Sequence, residues 1–164
     1  MTNTEHPIGT FVESTLEKAH ISLHVMTVFG LFDGLTNPAT SIQKPTVWSF
    51  ILAINWFVAV AVVYTFIAFL VGALLAILVS DFAFRDKDNP KRKAFAAAAP
   101  TPLLIIATIL GIVMAILSRG TPGIHDEIAG IILFRLIGFA AMGFSLLVLL
   151  GAILSAFEHK QTIK

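Results

Sequence analysis

The run from Val47 to Ser80 contains no charged residue and no proline. A helix of about 20 apolar residues crosses the ~30 Å hydrocarbon core of a bilayer, and a longer helix tilts or projects beyond it. Two crossings would need about 40 residues and a turn, yet the only residue inside this run that weakens a helix is Gly72. The sequence therefore predicts one long transmembrane helix over residues 47–80.

Two further apolar segments predict two more spans. The second span, 101–118, begins beside Pro100 and Pro102, which a first helical turn tolerates because its amides have no partner within the helix. The third span, 128–157, contains a single charge, Arg135. Hydrophobic residues make up 57% of the chain and charged residues 13%, against about 25% charged residues in soluble domains. The predicted class is an all-α integral membrane protein with a three-helix transmembrane domain over residues 47–157.

Residues 1–46 are predicted to remain outside the hydrocarbon core. Their ionisable side chains are too closely spaced for a helix that faces lipid. We predict instead an amphipathic helix at the membrane surface, with its apolar face on lipid or on the tops of the spans, followed by a linker. Residues at helical spacing form that apolar face: Ile8, Val12, Leu16, Ala19, Leu23 and Met26.

Basic residues are concentrated between the first two spans. The predicted loop 81–97 contains Arg85, Lys87, Lys91, Arg92 and Lys93. Only Lys18 and Lys44 precede the first span. Since short connections rich in Lys and Arg remain in the cytoplasm, we predict a cytoplasmic loop, an outer N-terminus and a cytoplasmic tail over residues 158–164. The expected location is a bacterial inner membrane or its organellar equivalent.

The N-terminal segment also carries a row of potential metal ligands: Glu13, Glu17, His20 and His24. Spacings of four, three and four residues place them on one side of a helix, and Glu17 with His20 has the spacing of ligand pairs in carboxylate-bridged di-iron proteins. A metal site would need further ligands, for which His6 and the His-Asp-Glu turn at 125–127 are candidates. The alternatives are a pH-sensing role for the histidines and a solvated polar face that binds nothing.

Five residues of the spans are predicted to make interactions. Arg135 lies near the outer end of its span, where its side chain can reach the headgroups, and Asn55 lies at a similar depth, so a contact between the two is geometrically open. An ion pair of Arg135 with Asp126 or Glu127 is the alternative. Small residues four positions apart allow helix backbones to approach closely in lipid. Such pairs begin or end at Gly72, Gly111 and Gly151.

The membrane-spanning segments carry few groups that could perform chemistry. The chain has no cysteine, and the predicted spans contain neither histidine nor an acidic residue, which argues against haem ligation and against an ion-coupled carrier. We therefore expect a non-catalytic accessory subunit of a larger membrane complex, in contact with other subunits and lipids, without a cofactor or nucleic acid. The alternatives are an oligomeric transporter or channel, which would form from several copies of the chain, and a metal- or quinone-linked enzyme subunit that uses the Glu/His row.

Overall fold

A computed structural model describes residues 7–36, 47–84, 89–118 and 128–161. These residues form α1 (Pro7–Thr36), α2 (Val47–Ala83), α3 (Pro90–Ala98), α4 (Pro100–Leu117) and α5 (Ile128–Gln161). Three stretches are long and apolar enough to cross a membrane: Phe50–Ala83, Pro90–Leu117 and Gly130–Gly151. The described part of the chain contains no strand. The predicted all-α membrane class with three apolar spanning helices is therefore confirmed.

Helix α2 occupies the centre of the bundle and contacts each of the other four helices. Its residues from Phe57 to Ala61 are almost completely buried. Helix α4 runs antiparallel to α2 and approaches it closely at Gly111, where a Cβ atom would lie 2.6 Å from the carbonyl oxygen of Ala61. Only a glycine allows the two backbones to come this near, and close backbone approach is what stabilises helix pairs in lipid.

Helix α1 packs lengthwise against α2 and runs in the opposite direction. Near the C-terminal end of α1, Gly30 and Gly34 face the start of α2 at Val58 and Phe50, respectively. Near its N-terminal end, the Phe11 ring stacks on Phe69 with ring centroids 5.9 Å apart. Helix α1 therefore lies beside the spanning helices over much of their length.

The face that α1 presents to the bundle differs from the predicted apolar face. Of the predicted apolar face, Met26 is buried in the core of the bundle, but Val12 and Leu16 are 48% and 71% exposed. The buried positions instead include Gly30 and Gly34, because small residues allow the backbone of α1 to approach α2. The surface position of α1 and the outer N-terminus remain predictions. The antiparallel packing of α1 against α2 makes them testable by cysteine labelling.

A proline interrupts the helix between α3 and α4. Helix α3 begins within the predicted loop 81–97, where the Asn89 side chain accepts a hydrogen bond of 2.9 Å from the Lys91 amide and Pro90 occupies the first turn. The break at Ala99 follows from Pro100, which has no amide hydrogen to donate to the preceding turn. The Ala97 carbonyl beside the break accepts a 3.0 Å hydrogen bond from the Ser14 hydroxyl of α1.

Helix α5 packs against α2 and α1 alone among the described helices. Its contact with α2 includes Phe134, which is buried beside Trp56 with ring centroids 5.5 Å apart. In the described residues, nothing lies within 4 Å of where a Cβ atom would be at Gly143 or at Gly151. One side of α5 is therefore left open by the rest of the bundle.

We expect Gly111→Ala to destabilise the protein although alanine favours helix over glycine by about 1 kcal/mol. The added methyl group must displace the α2 backbone at Ala61, and such overpacking costs about 1–3 kcal/mol. Thermal unfolding in detergent should show a midpoint lower by several degrees. Gly143→Ala, at an open position, is the control and should leave the midpoint unchanged or raise it. Equal midpoints for the two variants would contradict the close approach at Gly111.

The antiparallel packing of α1 and α2 makes a prediction about topology. Because the N-terminal end of α1 lies beside the C-terminal end of α2, a cysteine replacing Gly9 should share its compartment with one replacing Lys91, and a cysteine replacing Val47 should lie opposite. The chain has no cysteine of its own, so an impermeant thiol reagent added to intact cells reports each site separately. Labelling of Gly9→Cys together with Val47→Cys would instead support the outer N-terminus predicted from the sequence.

Candidate functional site

The four residues of the Glu/His row lie along α1. Glu13 and Glu17 are exposed, whereas His20 and His24 are half-buried. The two imidazole rings meet edge to face with centroids 6.3 Å apart, and His24 Nδ1 lies 2.7 Å from the His20 carbonyl oxygen. Within the described ranges, no three His, Asp or Glu side chains come together as a metal-binding group. His6 and residues 125–127 lie outside those ranges, so a metal site completed by them remains a hypothesis.

The structure brings Asn55 and Arg135 together through the main chain of α5. Asn55 is fully buried, and its Nδ2 donates a 3.1 Å hydrogen bond to the Arg135 carbonyl oxygen. The Arg135 side chain itself is exposed, and its position near the headgroups remains a prediction. The alternative ion pair with Asp126 or Glu127 involves residues outside the described ranges. What Asn55 recognises is thus the backbone of α5, and no charge is needed for this contact.

Two of the three predicted glycines lie at helix contacts. Gly111 faces the α2 backbone, and Gly72 faces the Leu103 side chain, whose Cγ lies 3.7 Å from a Cβ atom built at Gly72. Gly151 faces open space in the described structure. The small-residue pairs that end or begin at Gly72 and Gly111 therefore serve packing inside the bundle.

Three further glycines at contacts were not among the predicted residues. A Cβ atom at Gly138 would lie 2.7 Å from Asn55 Nδ2, so this glycine is what allows Asn55 to reach the α5 backbone. Gly30 and Gly34 allow the approach of α1 to α2. Their spacing of four is itself the small-residue signal. This signal indicates a helix contact only in a helix that packs among the spans, which the polar residues of α1 argue against.

Hydroxyl groups connect α1, α2 and α4 in the interior of the bundle. The Ser22 and Thr108 hydroxyl oxygens of α1 and α4 lie 2.5 Å apart, and Thr65 of α2 donates a 3.2 Å hydrogen bond to the Ala107 carbonyl oxygen. Thr108 and Thr65 are both buried. Each hydroxyl thus has a partner in the apolar interior, and together they set the lengthwise register of the three helices.

A groove of about 700 Å³ follows the outer junction of α1 and α4. Its walls are almost entirely apolar, and its one charged residue is Lys18 at the N-terminal end of the α1 wall. Lys18 Nζ donates a 2.9 Å hydrogen bond to the Ser14 hydroxyl. Branched aliphatic side chains from both helices form most of the wall: Ile21, Val25, Ile105, Ile109, Ile112 and Val113.

A smaller cavity of about 180 Å³ lies where α1, α2 and α3 meet. It contains an ion pair between Arg92 of α3 and Asp81 of α2. The Arg92 side chain is largely buried, whereas the Asp81 side chain is 58% exposed. Partly exposed ion pairs contribute little to stability, but this one connects α3 to the end of α2.

We expect Asn55→Ala to lower the free energy of unfolding, because the mutation removes an interhelical hydrogen bond within an apolar environment. Such bonds contribute about 0.6 kcal/mol on average in a membrane protein and up to ~1.7. Arg135→Gln should leave stability unchanged, since Asn55 binds the main-chain oxygen of this residue. Denaturation in mixed micelles measures both variants. A loss in Arg135→Gln as large as that in Asn55→Ala would show that the guanidinium is the stabilising group.

Comparison with known protein families, with characterised proteins and with solved structures found no match to this chain. A function must therefore be argued from the geometry of the chain itself: the open side of α5, the polar row on α1 and the groove between α1 and α4.

Proposed function

We propose that the chain is a non-catalytic subunit of a larger membrane protein complex, and that α5 is the helix that contacts its partner. The observation that carries this proposal is the open side of α5 at Gly143 and Gly151. Between these glycines, Leu147 is 69% exposed. Because Gly143, Leu147 and Gly151 are spaced by four residues, they form one ridge along the helix.

Such a ridge suits the backbone of another helix. In lipid there is no hydrophobic force between two apolar helices, so association depends on close packing at small residues. Glycine in the interior of a helix costs about 1 kcal/mol relative to alanine. Inside the bundle, Gly111 and Gly138 are accounted for by contacts. A partner helix seated on Gly143 and Gly151 would account for these two in the same way.

The scarcity of reactive groups in the spans also supports a non-catalytic role. Arg135 is the only charged residue in the segments 50–80, 101–117 and 130–151, and its carbonyl oxygen is used to bind Asn55. The hydroxyl groups of Ser22, Thr65 and Thr108 all have partners. None of these groups forms a continuous polar path of the kind that ion-coupled carriers use.

Purification in mild detergent followed by mass spectrometry tests the proposal. A heterologous membrane protein should copurify in a fixed ratio with the wild-type chain, and Gly143→Leu and Gly151→Leu should each reduce its recovery. Gly9→Leu is the matched control, because nothing lies within 4 Å of a Cβ at this position either, yet Gly9 is on α1. This control should retain the partner.

Two results would overturn the proposal. Recovery of the partner that is equal in the α5 variants and in Gly9→Leu would show that the open side of α5 is not the interface. Ion conductance or solute flux in liposomes that contain this chain alone would instead support the oligomeric transporter or channel.

A further inference from the structure

We propose that the groove between α1 and α4 binds one acyl chain of an anionic phospholipid, with Lys18 contacting the headgroup. The inference is independent of the partner proposed for α5, because no residue of α5 lines the groove. It rests on the length of the groove, on its depth relative to the spans, and on the position of its single charge.

The length of the groove matches one leaflet. On α1 its wall extends from Lys18 to Phe29, and on α4 from Thr101 to Val113. At 1.5 Å per residue these stretches are each about 16–18 Å long. One leaflet occupies half of the ~30 Å hydrocarbon core, or about 15 Å. An acyl chain that enters at one end would therefore reach the centre of the bilayer at the other.

The depth of the groove places Lys18 at headgroup level. Residues 101–118 of the second span extend about 27 Å as a helix, close to the thickness of the hydrocarbon core, so Thr101 marks one boundary. Lys18 and Thr101 line the same end of the groove. Lys91, Arg92 and Lys93 lie further toward the same side, so this is the cytoplasmic boundary by the positive-inside rule.

The same register makes α1 compatible with the bilayer. From Lys18 to Thr36, α1 is about 27 Å long. Between these two residues it carries one carboxylate, Asp33 near the outer end, and two histidines, His20 and His24, which are half-buried. Glu13 and Glu17 precede Lys18 and so lie at or beyond the cytoplasmic boundary. The hydrogen bonds of Ser14 with Ala97 and of Ser22 with Thr108 fix this register.

The chemistry of the groove selects for an anionic lipid. Its side facing the membrane is open between exposed residues such as Ile21 and Ile109, so a lipid of the leaflet can enter sideways. Glu17 is not part of the wall, which leaves Lys18 as its one charge. A lysine whose aliphatic stem lies along apolar surface extends its ammonium group to the interface, where it attracts anionic headgroups.

Native mass spectrometry of the full chain in mild detergent, with added phosphatidylglycerol or phosphatidylcholine, tests the inference. Wild-type protein should retain phosphatidylglycerol preferentially. Lys18→Gln should reduce this preference about fivefold, as expected for the loss of one basic residue near anionic headgroups. Lys93→Gln, which removes an exposed lysine outside the groove, should leave it unchanged. Because the preference is a ratio within one variant, a change in protein yield does not affect it.

A second pair of variants tests the apolar part of the groove. Ile109 and Ile106 are both 56% exposed on α4, but only Ile109 lines the groove. Ile109→Trp should fill the groove and reduce retention of both lipids at least fivefold, whereas Ile106→Trp should retain them. Equal retention in these two variants, or equal preference in wild type and Lys18→Gln, would overturn the inference.

Two further experiments would identify other occupants of the groove. Displacement of retained lipid by oleate, without any binding of added phosphatidylglycerol, would assign the groove to free fatty acids. Disulfide-linked dimers of Ile109→Cys in membranes, without lipid retention, would assign it to a second copy of the chain. Either result would contradict the assignment of the groove to a phospholipid.

Discussion

The bundle depends on places where two helix backbones come almost into contact. In lipid, apolar side chains gain nothing by leaving the solvent, so helices associate through dispersion contacts and interhelical hydrogen bonds. Gly111 brings α4 onto α2, Gly138 brings α5 onto Asn55, and Gly30 with Gly34 brings α1 onto α2. Because α2 takes part in each of these contacts, its buried stretch from Phe57 to Ala61 forms the centre of the structure.

The three spanning helices were predictable from the sequence because they depend on local chemistry, whereas α3 lies where the sequence predicted a loop. The charge-free run from Val47 to Ser80 is too long and too apolar for any structure other than a spanning helix. The packing of α1 was not predictable in the same way, because its charged residues argue against a helix that crosses the membrane. Hydrogen bonds from Ser14 to α3 and between Ser22 and α4 set a register that moves most of those charges toward one end. Such register is a tertiary property, and no periodicity within α1 encodes it.

The contact between Asn55 and Arg135 shows that a sequence can indicate which residues lie at the same depth without indicating which atoms bind. Equal depth in the membrane was readable from the distance of each residue to the end of its span. The atom that Asn55 binds could not be predicted, because a main-chain carbonyl has no sequence signature. The role of Gly138, one turn further along α5, could not be predicted for the same reason, because it depends on the Asn55 amide that packs against this glycine.

The lengthwise packing of α1 has a consequence for the assembly of the chain during synthesis. Helix α1 leaves the ribosome before the other described helices, but its polar residues make it the least suited of the long helices to enter a bilayer alone. Its contacts with α2 and α4 become available only after those helices have been made. Helix α1, although it is translated before α2 and α4, therefore reaches its final place only after them, and a chain shortened before α4 would lack part of the surface that α1 packs on.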